Sequence, residues 1–188
     1  MAYHIALLVH LLAFATASGT AALVHFAEHR RNHGATVGEV LQWHGLMGKT
    51  ARVFPFALLV LILSGGYMVS AGGMWSWSFA WVRAALTGAV LIGICGGMIG
   101  GRARKDAAKL VEAARANASS HIIPPLDRVV DALAWCNTAT AIAVASIMTI
   151  KPGLTGCVAF LVAGYVVGLS IGLKPAKRAA AVSMESAA

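Results

Sequence analysis

Val53-Phe-Pro-Phe-Ala-Leu-Leu-Val-Leu-Ile-Leu-Ser-Gly-Gly-Tyr-Met-Val-Ser-Ala71 is a run of nineteen residues without one charged side chain. At 1.5 Å per residue, such a helix spans about 28 Å, close to the hydrocarbon thickness of a bilayer. The run cannot alternate as a half-buried strand, because nothing in its first eleven positions is polar. It reads as a membrane-crossing helix.

Four further stretches have the same character. With the first they predict spans at about 3–27, 53–71, 77–99, 129–150 and 154–173. The composition agrees: of 188 residues, 59% are hydrophobic, 12% are charged, and the mean hydropathy is +0.75. A soluble domain carries about 25% charged residues. The expected fold is all-α, a single integral membrane helical bundle over 1–188.

The charges sort by side. Arg30, Arg31, Lys49, Arg52, Arg102, Arg104, Lys105, Lys109, Arg115, Arg128, Lys174, Lys177 and Arg178 fall on one side of the five spans, and Arg83 and Lys151 on the other. The positive-inside rule places the larger group in the cytoplasm, the N-terminus outside and the C-terminus inside. The expected location is a bacterial inner membrane, crossed several times. Asymmetric placement also reads the net charge of +8 as contact with anionic lipid at the cytoplasmic face and not with nucleic acid. The first span lacks a preceding Lys or Arg and is interrupted by His10, so it reads as an uncleaved anchor.

Cys95, Cys136 and Cys157 lie in apolar runs without a C-x-x-C pair, which supports neither a disulfide framework nor a zinc knuckle. No P-loop and no G-x-S-x-G motif is present. Thr36-Val-Gly-Glu39 has capping-box spacing and predicts a helix start before the second span, with a kink near Pro55. Gly93, Gly97 and Gly101, Gly164, Gly168 and Gly172, and Ala13, Ala17 and Ala21 form small-residue series at intervals of four. These suit close packing inside the bundle, or a seam with a second copy or a larger membrane complex.

Two sets of side chains invite chemistry. His10 lies about seven residues inside the first span, roughly 10 Å deep, where ionisable groups face the bundle interior. Arg83 has no carboxylate on its own side of the membrane. A guanidinium there takes a two-oxygen anion, a lipid phosphate or a haem propionate. His10 and Arg83 together suit a b-type haem, with imidazole on iron, Arg on a propionate and Met68 as a sixth ligand. His25, His29 and His33 recur every four residues beside Glu28, with His44 on the same side. Imidazoles so spaced are candidate metal ligands, or solvated interfacial side chains.

His10 with Gly19 nine residues later, Pro55, Ser64-Gly65-Gly66-Tyr67 and the Trp-bearing turn 75–81 resemble the first three spans of small bacterial membrane proteins. Among these are copper-resistance-D-like proteins and HemJ-type protoporphyrinogen oxidases, over about residues 1–101. The resemblance to the second implies a haem-binding role for His10. This chain departs from it in having no Lys inside an apolar span.

Three functions are therefore open: a haem-binding, redox-linked protein; a copper or other metal-handling or transport protein using Met68, Met74, Met148 and His4; and a non-catalytic subunit or scaffold.

Overall fold

The computed structural model describes residues 1–71 and 75–173; Met74 and the cationic tail Lys174, Lys177 and Arg178 lie outside the described residues. The chain forms α1 (Ala2–Asn32), α2 (Val37–Ala51), α3 (Val53–Ala71), α4 (Ala80–Asn117), α5 (Arg128–Ile150) and α6 (Leu154–Gly172). Among the described residues, five helices are long and apolar enough to cross a membrane, with α2 and α3 counted as one run. Their outward side chains are apolar and exposed, Phe56 at 72% for instance. Water would penalise that surface and lipid does not.

Thr36 caps α2 as its spacing predicts, its Oγ1 accepting from Glu39 N at 3.3 Å. The reciprocal bond lands one residue early, because Glu39 Oε2 accepts from Ala35 N at 3.0 Å. The break between α2 and α3 falls at Arg52, three residues before Pro55. Pro55 has no N–H for the Ala51 carbonyl and its ring crowds that oxygen, so the helix restarts with proline in its first turn.

Two helix groups make the bundle. One is α1 packed on α2 and α3, and the other is α4 packed on α5 and α6, with α2 and α3 both touching α4. On α3 the buried positions Ala57, Ser64 and Met68 share one face. The series in α6 is used inside the bundle: a Cβ at Gly168 would stand 2.5 Å from Cys136 Cα, and one at Gly172 2.5 Å from Ala132 Cα. Gly97, Gly100 and Gly101 of α4 meet nothing within 4 Å.

The residues 102–117 of α4 extend beyond its apolar part and carry α2 along their side. Val37, Val40 and Leu110 are fully buried there. Val37 N donates to Ser120 O and Gly38 N to Ala118 O, both at 2.9 Å, so the start of α2 is tied to the connection between α4 and α5. Arg31–Asp131, Arg102–Asp127 and Lys109–Asp106 pair at this same end. It is the charged end of the bundle.

At the opposite end, Lys151 closes α5 in the left-handed conformation, φ 52°. A side chain is strained there, as glycine is not. The Lys151 ammonium lies 3.9 Å from the centroid of Trp75 and 5.7 Å from that of Trp81. The contact ties the α5–α6 turn to the connection between α3 and α4, and offsets part of the strain.

Asp127 caps α5, accepting from Val129 N at 3.0 Å, and also holds Arg102 at 2.6 Å. The Arg102 hydrogen bond, then the backbone bond, hold its carboxyl below the ordinary carboxylate range. A depressed carboxyl stabilises the fold above the unfolded-state value near pH 4, and that support is lost as pH falls through the lower folded value. Acidification below about pH 4 should therefore loosen the α4–α5 connection. Hydrogen exchange at Val129 and Val130 checks it, and Asp127→Asn should remove the acid step.

Candidate functional site

His10 sits on the α1 face turned towards α3. Its Nδ1 lies 3.0 Å from Ser64 Oγ, and Ser64 is buried. The Ser64 hydroxyl has one proton, and its shortest contact is to Val60 O at 2.6 Å, the usual i−4 bond of a helical serine. With that proton committed, the oxygen accepts from His10. In the neutral ring Nδ1 therefore carries the proton, and Nε2 keeps its lone pair. A Cβ at Gly65 would stand 3.3 Å from His10 Cε1, so glycine lets the ring lie close to the α3 backbone. One turn from Ser64, Met68 is buried on the same helix.

Arg83 is exposed in the first turn of α4, and none of the described residues pairs with its guanidinium. Helix α3 touches both α1 and α4, while α1 and α4 share no comparable contact. His10 and Arg83 therefore belong to different helix pairs, and no hydrogen bond links them. Lys151, the other cation of that end, is taken by the tryptophans.

The four histidines expected as metal ligands part company. His25 turns towards α5, with Nδ1 2.9 Å from Glu28 Oε2 and Nε2 2.8 Å from Thr138 Oγ1. His29 and His33 lie ring to ring at 4.3 Å, and His33 Nδ1 bonds to His29 O at 2.8 Å. His44 is buried between α2 and α4, its Nε2 3.0 Å from Ala103 O and its Nδ1 without a partner. Among the described residues, no three His, Cys, Asp or Glu side chains come together as a metal-holding group. The even spacing of 25, 29 and 33 puts three rings near one face, but tertiary partners draw off the first. Met68 on α3, Met148 on α5 and His4 on α1 sit on three different helices.

The polar seam between α1 and α5 is the feature the sequence reading did not assemble. It adds an ion pair in which one nitrogen, Arg31 Nη2, donates to both Asp131 oxygens, Oδ1 at 2.8 Å and Oδ2 at 2.6 Å, to the His25–Glu28 cluster. Trp135 Nε1 donates to Glu28 Oε1 at 3.3 Å. The available signal was Asp131 inside an apolar span, since an acid at such a position needs a partner.

The fold and sites define a class: a multi-helix bundle of membrane-spanning character, with an oriented imidazole towards one end and a buried ionic seam towards the other. Comparison with protein-family models, curated proteins and solved structures finds no match to this chain.

Proposed function

We propose that this chain is a haem-binding, redox-linked protein of a bacterial inner membrane, with its charged end in the cytoplasm. His10 Nε2 is the iron ligand, Arg83 pairs with a propionate, and Met68 is the candidate sixth ligand. The carrying observation is the Ser64 hydrogen bond. A hydrogen-bond acceptor on one ring nitrogen leaves the other as the donor a metal centre needs, and orients it. Bound haem would supply one-electron chemistry at that nitrogen. The protein residues hold and orient: Ser64 sets the tautomer, Gly65 seats the ring, and Arg83 offers a two-oxygen clamp. Anionic lipid at the cytoplasmic face pairs with the exposed cations.

The test is a reduced-minus-oxidised absorption spectrum of protein solubilised from haem-replete cells. A Soret band is expected, lost in His10→Ala and shifted in Ser64→Ala. A colourless wild-type preparation would sink the proposal.

A second reading, a non-catalytic subunit or scaffold, is favoured by one observation. Among the described residues nothing meets the Gly97, Gly100 and Gly101 face of α4, and close approach of small residues is how membrane helices associate.

A further inference from the structure

His29 and His33 stand one turn apart at the charged end of α1, and both are exposed. Their ring centres lie 4.3 Å apart, with the planes tilted by 38°. A metal about 2.0–2.1 Å from one nitrogen of each ring sets the ring centres about 4.5 Å apart at a right angle. At a tetrahedral angle the same bonds set them about 5.2 Å apart. The observed spacing matches neighbouring ligands of a square-planar ion, the geometry of copper(II) and nickel(II).

Hydrogen bonding prepares one ring for that role. His33 Nδ1 lies 2.8 Å from the His29 carbonyl oxygen, which can only accept, so Nδ1 donates. In the neutral ring Nε2 then keeps its lone pair, held in place as an outer hydrogen bond holds a metal ligand. Among the described residues, the His29 ring has no hydrogen-bond partner and meets the His33 ring alone.

The backbone beneath the pair is fixed. Gly34 N donates to Arg31 O at 3.2 Å, and Val37 N to Ser120 O at 2.9 Å. The His121 ring donates to Ala35 O at 3.0 Å. The turn after His33 is thus pinned from both sides, which leaves little for a ligand to order.

Charge at this point favours a cation despite the basic residues between the two rings. Arg30 turns to α2, its guanidinium 5.3 Å from the centroid of Trp43. Arg31 is closed on Asp131. What remains is the C-terminal end of a 31-residue helix, whose last carbonyls carry partial negative charge.

We infer that His29 and His33 form a two-imidazole site for a divalent late transition-metal ion, with copper(II) bound most tightly. Nickel(II) and zinc(II) follow more weakly, in the usual order for nitrogen donors. Water fills the remaining positions, because no third His, Cys, Asp or Glu joins the pair among the described residues. A site so open exchanges its ion with solution, unlike a closed structural site. His25 and His44 take no part, since Glu28 and Thr138 hold the first and Ala103 O the second. The site goes beyond the haem reading and shares no residue with it.

The experiment is a copper(II) titration of the untagged, metal-stripped full chain in detergent, read by electron paramagnetic resonance. A single class of bound copper is expected, its nitrogen hyperfine pattern that of two imidazoles. His29→Asn and His33→Asn each remove a ligand, so each should weaken binding at least as much as losing an outer-shell partner does, about 10–100-fold. Both side chains are exposed, so the fold survives either change, and circular dichroism checks this. His4→Asn, at the opposite end of the same helix, should titrate like wild type. Copper held equally well by His29→Asn and His33→Asn overturns the inference, as does its loss in His4→Asn. A wild-type chain that takes up no copper overturns it too.

Discussion

Gly168→Leu is expected to abolish the folded bundle. A Cβ at this position would lie 2.5 Å from Cys136 Cα, 2.8 Å from Cys136 N and 2.8 Å from Trp135 O. All three are backbone atoms of α5, which cannot swing aside as a side chain can. Relief requires α6 to move bodily, and Gly164 and Gly172 are pressed on the same helix, with a Cβ at Gly164 2.9 Å from Ala139 O. Overpacking a core ordinarily costs about 1–3 kcal/mol, and a backbone clash exceeds this because no rotamer change relieves it. Even Gly168→Ala should destabilise clearly. Thermal unfolding in detergent, read by circular dichroism and by a shift from the monodisperse gel-filtration peak, checks both. A Leu variant that melts like wild type would mean α5 and α6 do not approach at these glycines.

The comparison substitution is Gly101→Leu, where no atom lies within 4 Å. Its expected effect on the isolated chain is small. Loss of a higher-order species with unchanged melting would assign that face of α4 to another protein or a second copy.

The spans were legible because charge exclusion acts on every residue of a crossing helix. The runs 53–71 and 129–150 coincide with α3 and nearly with α5 for that reason. Helix ends beyond the apolar part were harder. The first helix runs to Asn32, five residues past its predicted span, because Arg31 is held by Asp131. The Ala-rich stretch 102–115 was legible as a helical extension of the third span, and α4 does run on to Asn117.

The two sites differ in the same way. His10 was visible as a lone imidazole in an apolar helix, but its partner Ser64 was one of many hydroxyls, and only the α1–α3 register selects it. His25 was grouped with His29 and His33 by spacing along one helix. Which ring turns inwards is decided by Glu28, Trp135 and Thr138, and the last two are more than a hundred residues away. Periodicity carries no record of such pairings.

Arg31→Ala should cost far more stability than deletion of an exposed charge, because Arg31 is a cation in sequence and a core residue in space. It is 2% exposed, grips both oxygens of Asp131, and shares Asn32 Oδ1 at 3.1 and 2.8 Å. Removing one member of a buried pair costs about 3–5 kcal/mol, since the survivor stays desolvated without its counter-charge. Asp131 would then face Glu28, which lines the same pocket, and the repulsion adds to the loss. Exposed pairs such as Arg102–Asp127, at 44% and 27%, yield at most about 1 kcal/mol. Arg102→Ala is therefore the control. The double variant Arg31→Met with Asp131→Leu should recover most of the deficit, because it removes both desolvated charges and leaves apolar volume in the seam. Unfolding midpoints of these three variants and of wild type decide between the alternatives. A double variant no better than Arg31→Ala would show that the geometry of the ion pair, and not the orphaned carboxylate, is what holds α1 to α5.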